Sequence, residues 1–255
     1  MLGVVLLAAA PGVAQARRRS FWPGGARFAV SLTYDDGLDS QLQYAVPELD
    51  RRGYKATFFL TEENMAARLP DWEVVAQHGH EIANHTVHHP CDLRKFDARS
   101  LETRELAPMA RFIRQYFGRQ PRTFAYPCGF IGLGQGDNHT RFARYEHLLR
   151  HDFLAARTTA GPPNTIAAVR ADPLRLAGFE PTYDADVVAP GRRYLELAER
   201  EGAWAILVFH DVVPKWRGEG DASLKTHSAV LDLVEKSGAW CAPMGAVMKR
   251  IRGRR

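Results

Sequence analysis

The chain reads as an α/β protein whose sheet closes into a distorted (β/α) barrel of about seven or eight parallel strands. Three observations carry this expectation. Short apolar runs alternate with helical patterns along nearly the whole length, the signature of a parallel sheet with crossover helices. The 255 residues, 45% hydrophobic and 25% charged, suffice for one large domain and force no split. No Gly-rich phosphate loop follows the first strand, which weakens the alternative of a doubly wound open sheet.

Each element has its own signal. The first strand is the run 28–33, rich in apolar and β-branched residues; Gly37 then permits a sharp turn, and Ser40 can cap a helix carrying Leu42, Val46 and Leu49 at helical spacing. A second strand at 55–60 precedes a helix through 72–76, and a third at 81–84 leads into a histidine cluster. A long Arg-rich amphipathic helix follows over about 100–117, then a fourth strand at 123–126. Further strands are expected at 153–156, 174–177, 204–209 and 239–241, with helices near 142–149, 192–200, 224–236 and 244–251. The loop 129–140, with four glycines, reads as the most flexible segment of the body. No internal repeat or low-complexity stretch interrupts the pattern.

The ends of the chain differ from its body. Leu2 to Ala10 is apolar, Pro11 and Gly12 break it, and Ala14-Gln15-Ala16 looks like a small-residue cleavage site, so residues 1–16 read as a secretory signal peptide. The competing reading is a buried N-terminal helix or a misplaced start, since no Lys or Arg precedes the apolar core. A basic segment at 17–26 then leads into one domain at 27–252, and the expected location is secreted or periplasmic. No stretch is long enough for a transmembrane anchor.

The net charge is +5 and the pI about 9.2, much of the excess lying in Arg17–Arg19 and in 249–255, which read as solvated tails. No nucleic-acid module accompanies them, so no nucleic-acid partner is expected. The cysteines Cys91, Cys128 and Cys241 match no structural zinc spacing. A bridge between Cys91 and Cys128 would join two motifs of one site, but free, partly buried thiols are the default.

The chemistry concentrates at strand ends. Thr33-Tyr34-Asp35-Asp36-Gly37 puts two carboxylates side by side at the carboxyl end of a buried strand. There they call for a cation, a shared proton or open solvent, although an Asp-Gly turn alone would be unremarkable. What favours the cation is Asn84-His85-Thr86-Val87-His88-His89-Pro90. His85 and His89, four apart, can reach one ion; with Asp36 they make two imidazoles and one carboxylate with a position left open, the ligand set of a catalytic zinc site. His88 ranks second as a ligand, and His78 and His80 read as structural or supporting. Two surface histidines would be the plain reading of His-x-x-x-His alone. A barrel gathers strand ends on one rim, so His210, at the mouth of the apolar run 204–209, would join them in a proton-transfer role. Of the aromatics, Trp72 and Trp204 read as core, whereas Trp216 in the loop past His210, and Tyr126, could stack on a ligand.

Together these residues resemble the polysaccharide deacetylases, carbohydrate esterases (family 4) that share the NodB-homology domain, and the chain looks like a divergent branch. The family's first motif, Thr-Phe-Asp-Asp-Gly, corresponds to 33–37, and its second, His-Ser/Thr-x-x-His, to 85–89. The likeness runs in order from Phe28 to about Ile251. It implies a deacetylase barrel, a carbohydrate polymer or oligomer as partner, and a divalent metal, zinc being first choice. It further implies Asp35 as catalytic base, Asp36, His85 and His89 as metal ligands, His210 as catalytic acid, and Val208 against the acetyl methyl. The expected activity is removal of acetyl groups from an N-acetylated, chitin- or peptidoglycan-like glycan.

Departures from the family pattern bear on this expectation. The third motif, Arg-Pro-Pro-Tyr-Gly or Arg-Tyr-Pro-Tyr-Gly, has Ala125 for its Arg and Cys128 for its Tyr. Arg157, with Arg175 behind it, is the candidate to pair with the base in place of the missing guanidinium. Cys128 can still offer its backbone N–H to an oxyanion. The fourth motif, an Asp-Trp pair that orients the acid, is not recognisable, and Asp172 is a weak substitute. Alternative readings are therefore an O-acetyl-xylan-type esterase or small amide hydrolase on the same site, and a non-catalytic carbohydrate-binding descendant.

Overall fold

The computed structural model describes residues 20–181, 188–218 and 220–253; the expected leader at 1–16 and the arginines 17–19, 254 and 255 lie outside them. Along the chain run β1 (Ala29–Asp36), α1 (Val46–Arg51), β2 (Thr57–Leu60), α2 (Glu62–Met65), α3 (Leu69–Gln77), β3 (Glu81–Asn84), α4 (Ala98–Leu101), α5 (Ala107–Phe117), β4 (Thr123–Ala125) and α6 (Asn138–Leu149). There follow β5 (Ala155–Arg157), α7 (Ile166–Ala171), α8 (Val188–Glu201), β6 (Trp204–Phe209), β7 (Asp211–Val213), β8 (Asp221–Ser223), α9 (Leu224–Ser237), β9 (Trp240–Cys241) and α10 (Met244–Gly253).

The main sheet is parallel throughout, in the order β5-β4-β3-β2-β1-β6, with β9 paired to β1 at Ala29 and Val30. It curls towards closure because the chain after α7 spans the gap: Leu176 bridges Arg157 and Phe179 bridges Leu207, both in parallel sense. The strand expected at 174–177 is thus reduced to isolated bridges. Gly178 lies between those two bridges, and a Cβ there would come within 2.6 Å of Val208 Cγ2, so this stave passes too close to β6 for an ordinary side chain. The result is a curled half-barrel of parallel strands, with β7 and β8 as a separate parallel pair.

Alternation along the strands sorts the core. Inside the barrel lie Ala29, Phe59, Ala83, Ala125, Ala155, Trp204 and Ile206, four alanines making room for two large rings. Outside, Val30, Leu32, Phe58, Ala205, Leu207 and Phe209 meet apolar side chains of α1, α3, α5, α8 and α9, including Trp72. A further cluster joins Phe124, Tyr126, Tyr145, Leu149 and Phe153 beside α6. Tyr34 stands in the outer layer, where its hydroxyl lies 2.7 Å from His227 Nε2 and His227 Nδ1 lies 2.7 Å from Glu48 Oε2. A Tyr rather than a Phe in the first motif is accounted for by this buried partner.

Several local expectations need correction. Ser40 does not cap a helix; it has helical backbone angles and its hydroxyl donates to the Asp211 carboxylate. The helix expected at 100–117 is α4 and α5 joined by a π-helical turn, Glu102–Leu106, and ends at Gly118, whose φ of 66° is the left-handed stop. The glycine-rich loop 129–140 is pinned: Arg141 donates to the carbonyls of Gly132 and Gly134, Arg144 to those of Leu133 and Gln135, and Leu133 is buried. Lys249 to Arg252 form the end of α10 rather than a tail, with Arg250 bound to the Phe21 carbonyl. No helix among the described residues is long and apolar enough to cross a membrane.

At the amino-terminal mouth of the barrel Glu81 ties four elements together. Its carboxylate accepts hydrogen bonds from Thr57 Oγ1 at 2.9 Å, Thr123 Oγ1 at 2.8 Å and the Gly245 N–H at 2.8 Å. Glu81→Ala leaves three donors at β2, β4 and α10 without their acceptor, so unfolding free energy should fall by about 1–3 kcal/mol in a urea titration. An unchanged midpoint would show that water replaces the carboxylate at no cost.

Candidate active site

The carboxyl ends of β1, β3, β4, β5 and β6 converge as a barrel rim requires. Asp35 points inward from β1 and is 1% exposed. One oxygen takes a hydrogen bond from Arg157 at the end of β5, and the other faces His85 Nε2 at 3.8 Å and His210 Nε2 at 3.9 Å. Burial alone would raise the Asp35 pKa, but the Arg157 charge, then those of His85 and His210, outweigh it and hold the carboxyl below its ordinary value.

Arg157 explains how Ala125 is tolerated. The two residues are register partners on β4 and β5, so the guanidinium comes from the neighbouring strand into space that an alanine leaves free. It is fully buried and lies 4.8 Å over the Phe59 ring. Arg175 does not reach the site: it sits 3.6 Å from Asp172 and stacks 3.5 Å over Phe142.

Asp36, His85 and His89 come together. The Asp36 Oδ1 atom is 3.6 Å from His85 Nε2 and 3.6 Å from His89 Nε2, and one ligand atom from each residue lies within 4.8 Å of the others. His85 Nδ1 donates to the Ala125 carbonyl at 2.9 Å, which leaves the Nε2 lone pair aimed into the site, buried and without a hydrogen-bond partner among the described residues. Burial, only partly offset by Asp35, pushes the His85 pKa down to about 4, so the ring is neutral as a ligand must be. This orphaned nitrogen beside a carboxylate and a second imidazole fits a divalent cation, and the N₂O set suits zinc among others. His88 lies outside the group, its Nδ1 3.1 Å from Glu105. His78 and His80 both contact Asp50, near the opposite end of β3.

Backbone strain marks the same rim. Among the described residues the only non-glycines with positive φ are Asp36 (76°), Thr86 (71°), His89 (52°) and Cys128 (53°). Thr86, being β-branched, is the least tolerant of that region. It is held because its N–H donates to Asn84 Oδ1 while its hydroxyl accepts from the His89 N–H. Glu105, in the π-helical turn before α5, accepts from the N–H groups of Val87 and His88. Gln41, in a π-helical turn Gln41–Ala45 before α1, donates to the carbonyls of Asp35 and His210. Cys91 and Cys128 form a disulfide with Cα atoms 5.5 Å apart, so the default of free thiols holds only for Cys241.

Two site residues had no clear sequence signal. Glu180 lies 2.8 Å from His210 Nδ1, as an ion pair whose N–H is not aligned for a hydrogen bond. Burial would lower the His210 pKa, but Glu180, with Asp35 and Asp36, raises it to about 9. Glu180, not Asp172, is therefore the acid beside His210; it follows Phe179, which closes the barrel, and no spacing rule announces it. Glu105 was equally silent.

The expected sugar contacts divide. Tyr126 is fully buried, donating its hydroxyl to the Leu174 carbonyl, so it is core and not a stacking platform. Val208 is fully buried on the same strand face as His210, one layer below it. Trp216 is 47% exposed on the connection between β7 and β8, and Cys128 presents its backbone from a left-handed turn at the end of β4.

Residues 25–140 match the family model described as polysaccharide deacetylase. YxkH of Bacillus subtilis (strain 168), named for that family, is 32% identical over 111 residues, 39% of this chain and 37% of its own. The peptidoglycan-N-acetylglucosamine deacetylase of Bacillus cereus is 43% identical over 63 residues, 24% of this chain and 22% of its own. The chain thus spans little more than a third of the former relative and under a quarter of the latter. Among solved structures, a protein of Mycobacterium smegmatis assigned to polysaccharide deacetylases superposes with a TM-score of 0.63 at 18% identity, over 91% of this chain and 93% of its own, a likeness of fold. The matched region carries Asp35, Asp36, His85, His89 and Cys128, so the segment that bears the site is similar to the polysaccharide deacetylase family.

Proposed function

We propose that the chain is a metal-dependent hydrolase that removes acetyl groups from an N-acetylated polysaccharide or oligosaccharide, chitin- or peptidoglycan-like. The observation that carries this reading is the pairing of the Arg157-bound Asp35 with His210 3.9 Å away, beside the Asp36, His85 and His89 group. Those three residues would hold a divalent cation, zinc first among candidates, which when bound polarises an acyl oxygen and makes water more acidic. Asp35 then accepts the proton of the attacking water through its free oxygen, while Arg157 keeps the other oxygen engaged. The Cys128 N–H would donate to the oxyanion, an effect for which one donor contributes about 3 kcal/mol.

His210 donates its proton to the leaving nitrogen, and Glu180 keeps that proton in place near neutral pH. An amide makes this demand more strongly than an ester, because an amine leaves poorly unprotonated; that favours N-acetyl over O-acetyl substrates. Val208 underlies the acetyl methyl, and Trp216 offers a ring to a sugar face. The domain extends over 27–252, and the chain is exported, secreted or periplasmic. The apolar run and Ala14-Gln15-Ala16 support export, as does a disulfide, which persists in oxidising compartments.

Acetate release from acetylated chitin oligomers, peptidoglycan and acetylated xylan, with and without chelator, tests the reading. Asp35→Asn should lower kcat by roughly 10²–10⁴-fold while bound metal stays stoichiometric, and chelation should abolish turnover until metal is restored. Turnover by Asp35→Asn equal to wild type, or undiminished activity without metal, would refute it.

The His210 shift gives a pH dependence with a definite sign. Its folded pKa of about 9 exceeds the ordinary histidine value, so in metal-free protein its stabilisation is complete below about pH 6.5 and lost as pH rises through about 9. Urea unfolding at the two ends of that window should show wild type losing on the order of 1–3 kcal/mol more than Glu180→Gln. The same variant should bring the alkaline fall of kcat to lower pH. Parallel stability profiles for the two proteins would remove Glu180 from this role.

A further inference from the structure

The His89 ring faces two ways. Its Nε2 points to Asp36, as described, whereas its Nδ1 lies 3.9 Å from Cys91 Sγ. His89, Cys91 and Cys128 form a second group in which one ligand atom from each residue lies within 4.8 Å of the others. Both cysteines are exposed, so a dithiol can reach the bridge. With metal–sulfur and metal–nitrogen lengths of about 2.3 and 2.0 Å, tetrahedral coordination puts neighbouring ligand atoms roughly 3.5–3.8 Å apart. The existing nitrogen–sulfur separation is close to that edge, and the sulfurs need only part once their bond is broken.

We propose that the reduced protein has a second metal site, formed by the thiolates of Cys91 and Cys128 and by Nδ1 of His89, and that it takes a thiophilic ion such as zinc. It goes beyond the catalytic reading and shares one residue with it. The redox step is an exchange with a dithiol: two electrons and two protons pass to the Cys91–Cys128 bridge, giving two thiols, while the dithiol closes to a disulfide. The divalent ion then displaces the two thiol protons and binds two thiolates and the imidazole, its remaining position going to solvent. Two thiolates make this a softer site than the N₂O group and give it a preference for zinc over harder ions.

A neutral imidazole has one lone pair, so Nδ1 and Nε2 cannot both be ligands without further loss of a proton. With Nδ1 engaged, Nε2 carries hydrogen and faces Asp36 as a donor. The two sites therefore compete for His89: the oxidised protein offers it to Asp36 and His85, the reduced protein to the sulfur pair.

Cobalt(II) reads the difference, since only thiolate ligation gives an intense sulfur-to-cobalt charge-transfer band. Full-length protein is titrated with the ion after oxidation and after reduction by a dithiol that is then removed without air. The oxidised protein should show no sulfur band, with the lone, partly buried Cys241 present as a thiol in both forms. The reduced protein should show it at one equivalent. Cys128→Ala, which like reduced wild type lacks the bridge, should have the band cut to half or less, and so should His89→Ala show altered, weaker binding by roughly tenfold or more.

Asp36→Ala should leave the band within about twofold of wild-type affinity, which separates this proposal from the catalytic one. If the oxidised protein binds no cobalt while the reduced protein shows the band, the catalytic reading fails and this one stands. No band after reduction, or a full band in Cys128→Ala of native circular dichroism, overturns the second site.

Discussion

A buried ion pair between Asp35 and Arg157 sets the terms for everything around it. Neither group touches solvent appreciably, and removing one partner of such a pair characteristically costs about 3–5 kcal/mol because the other is left charged in a poor medium. The pair is not a stabilising ornament, since an apolar replacement of both would often be neutral or better. Its use is to hold a carboxylate ionised inside a barrel mouth whose next layer down is built of alanines and aromatic rings. Among the described residues Arg157 Nε and Nη1 have no acceptor, so Asp35 is the one carboxylate that its charge meets there, with the Phe59 ring beneath it.

Strain is the second constraint and is borne by the same rim. Four non-glycine residues at positive φ cost of the order of 1–3 kcal/mol each, and they persist because neighbouring groups over-determine them. Asn84 and Glu105 fix the loop carrying His89, Gln41 ties the end of β1 to the end of β6, and the Cys91–Cys128 bridge joins the histidine loop to the turn after β4. Two of these supports stand in π-helical turns, whose extra residue re-aims a side chain relative to regular helix. The cost is tolerable because the layers below are ordinary, well-packed strand faces.

What was legible in the sequence follows from range. Asp35, Asp36, His85 and His89 sit in short motifs whose spacing is enforced by one strand end or one turn, so residue order alone places them. The sheet was legible too, because its longest strands, β1 and β6, are apolar runs and the shorter ones recur between helical patterns. Arg157 became a candidate only from a missing side chain at Ala125, and the sequence could not separate it from Arg175; the β4–β5 register does so. Glu180 was hidden because its position depends on a stave held by two isolated bridges, where neither period nor length gives a signal. Tyr126 misled because an aromatic at a strand end reads alike whether it faces the rim or the helices, and here it turns to the helix layer.

The two proton-carrying groups differ in acidity by type, and their arrangement widens the gap. Both are substantially enclosed, and burial by itself would neutralise each, raising the aspartate and lowering the histidine. Each is rescued by a partner of opposite sign: Arg157 for Asp35, Glu180 for His210. Because the two also attract one another across 3.9 Å, loss of either outer partner weakens the charge state of both. The four residues form a line of alternating sign, Arg157, Asp35, His210 and Glu180, contributed by β1, the ends of β5 and β6, and the closing stave. Closure of the barrel between β5 and β6 thus has a chemical role besides a structural one, since without the segment bearing Glu180 the histidine would lose the charge that holds its proton.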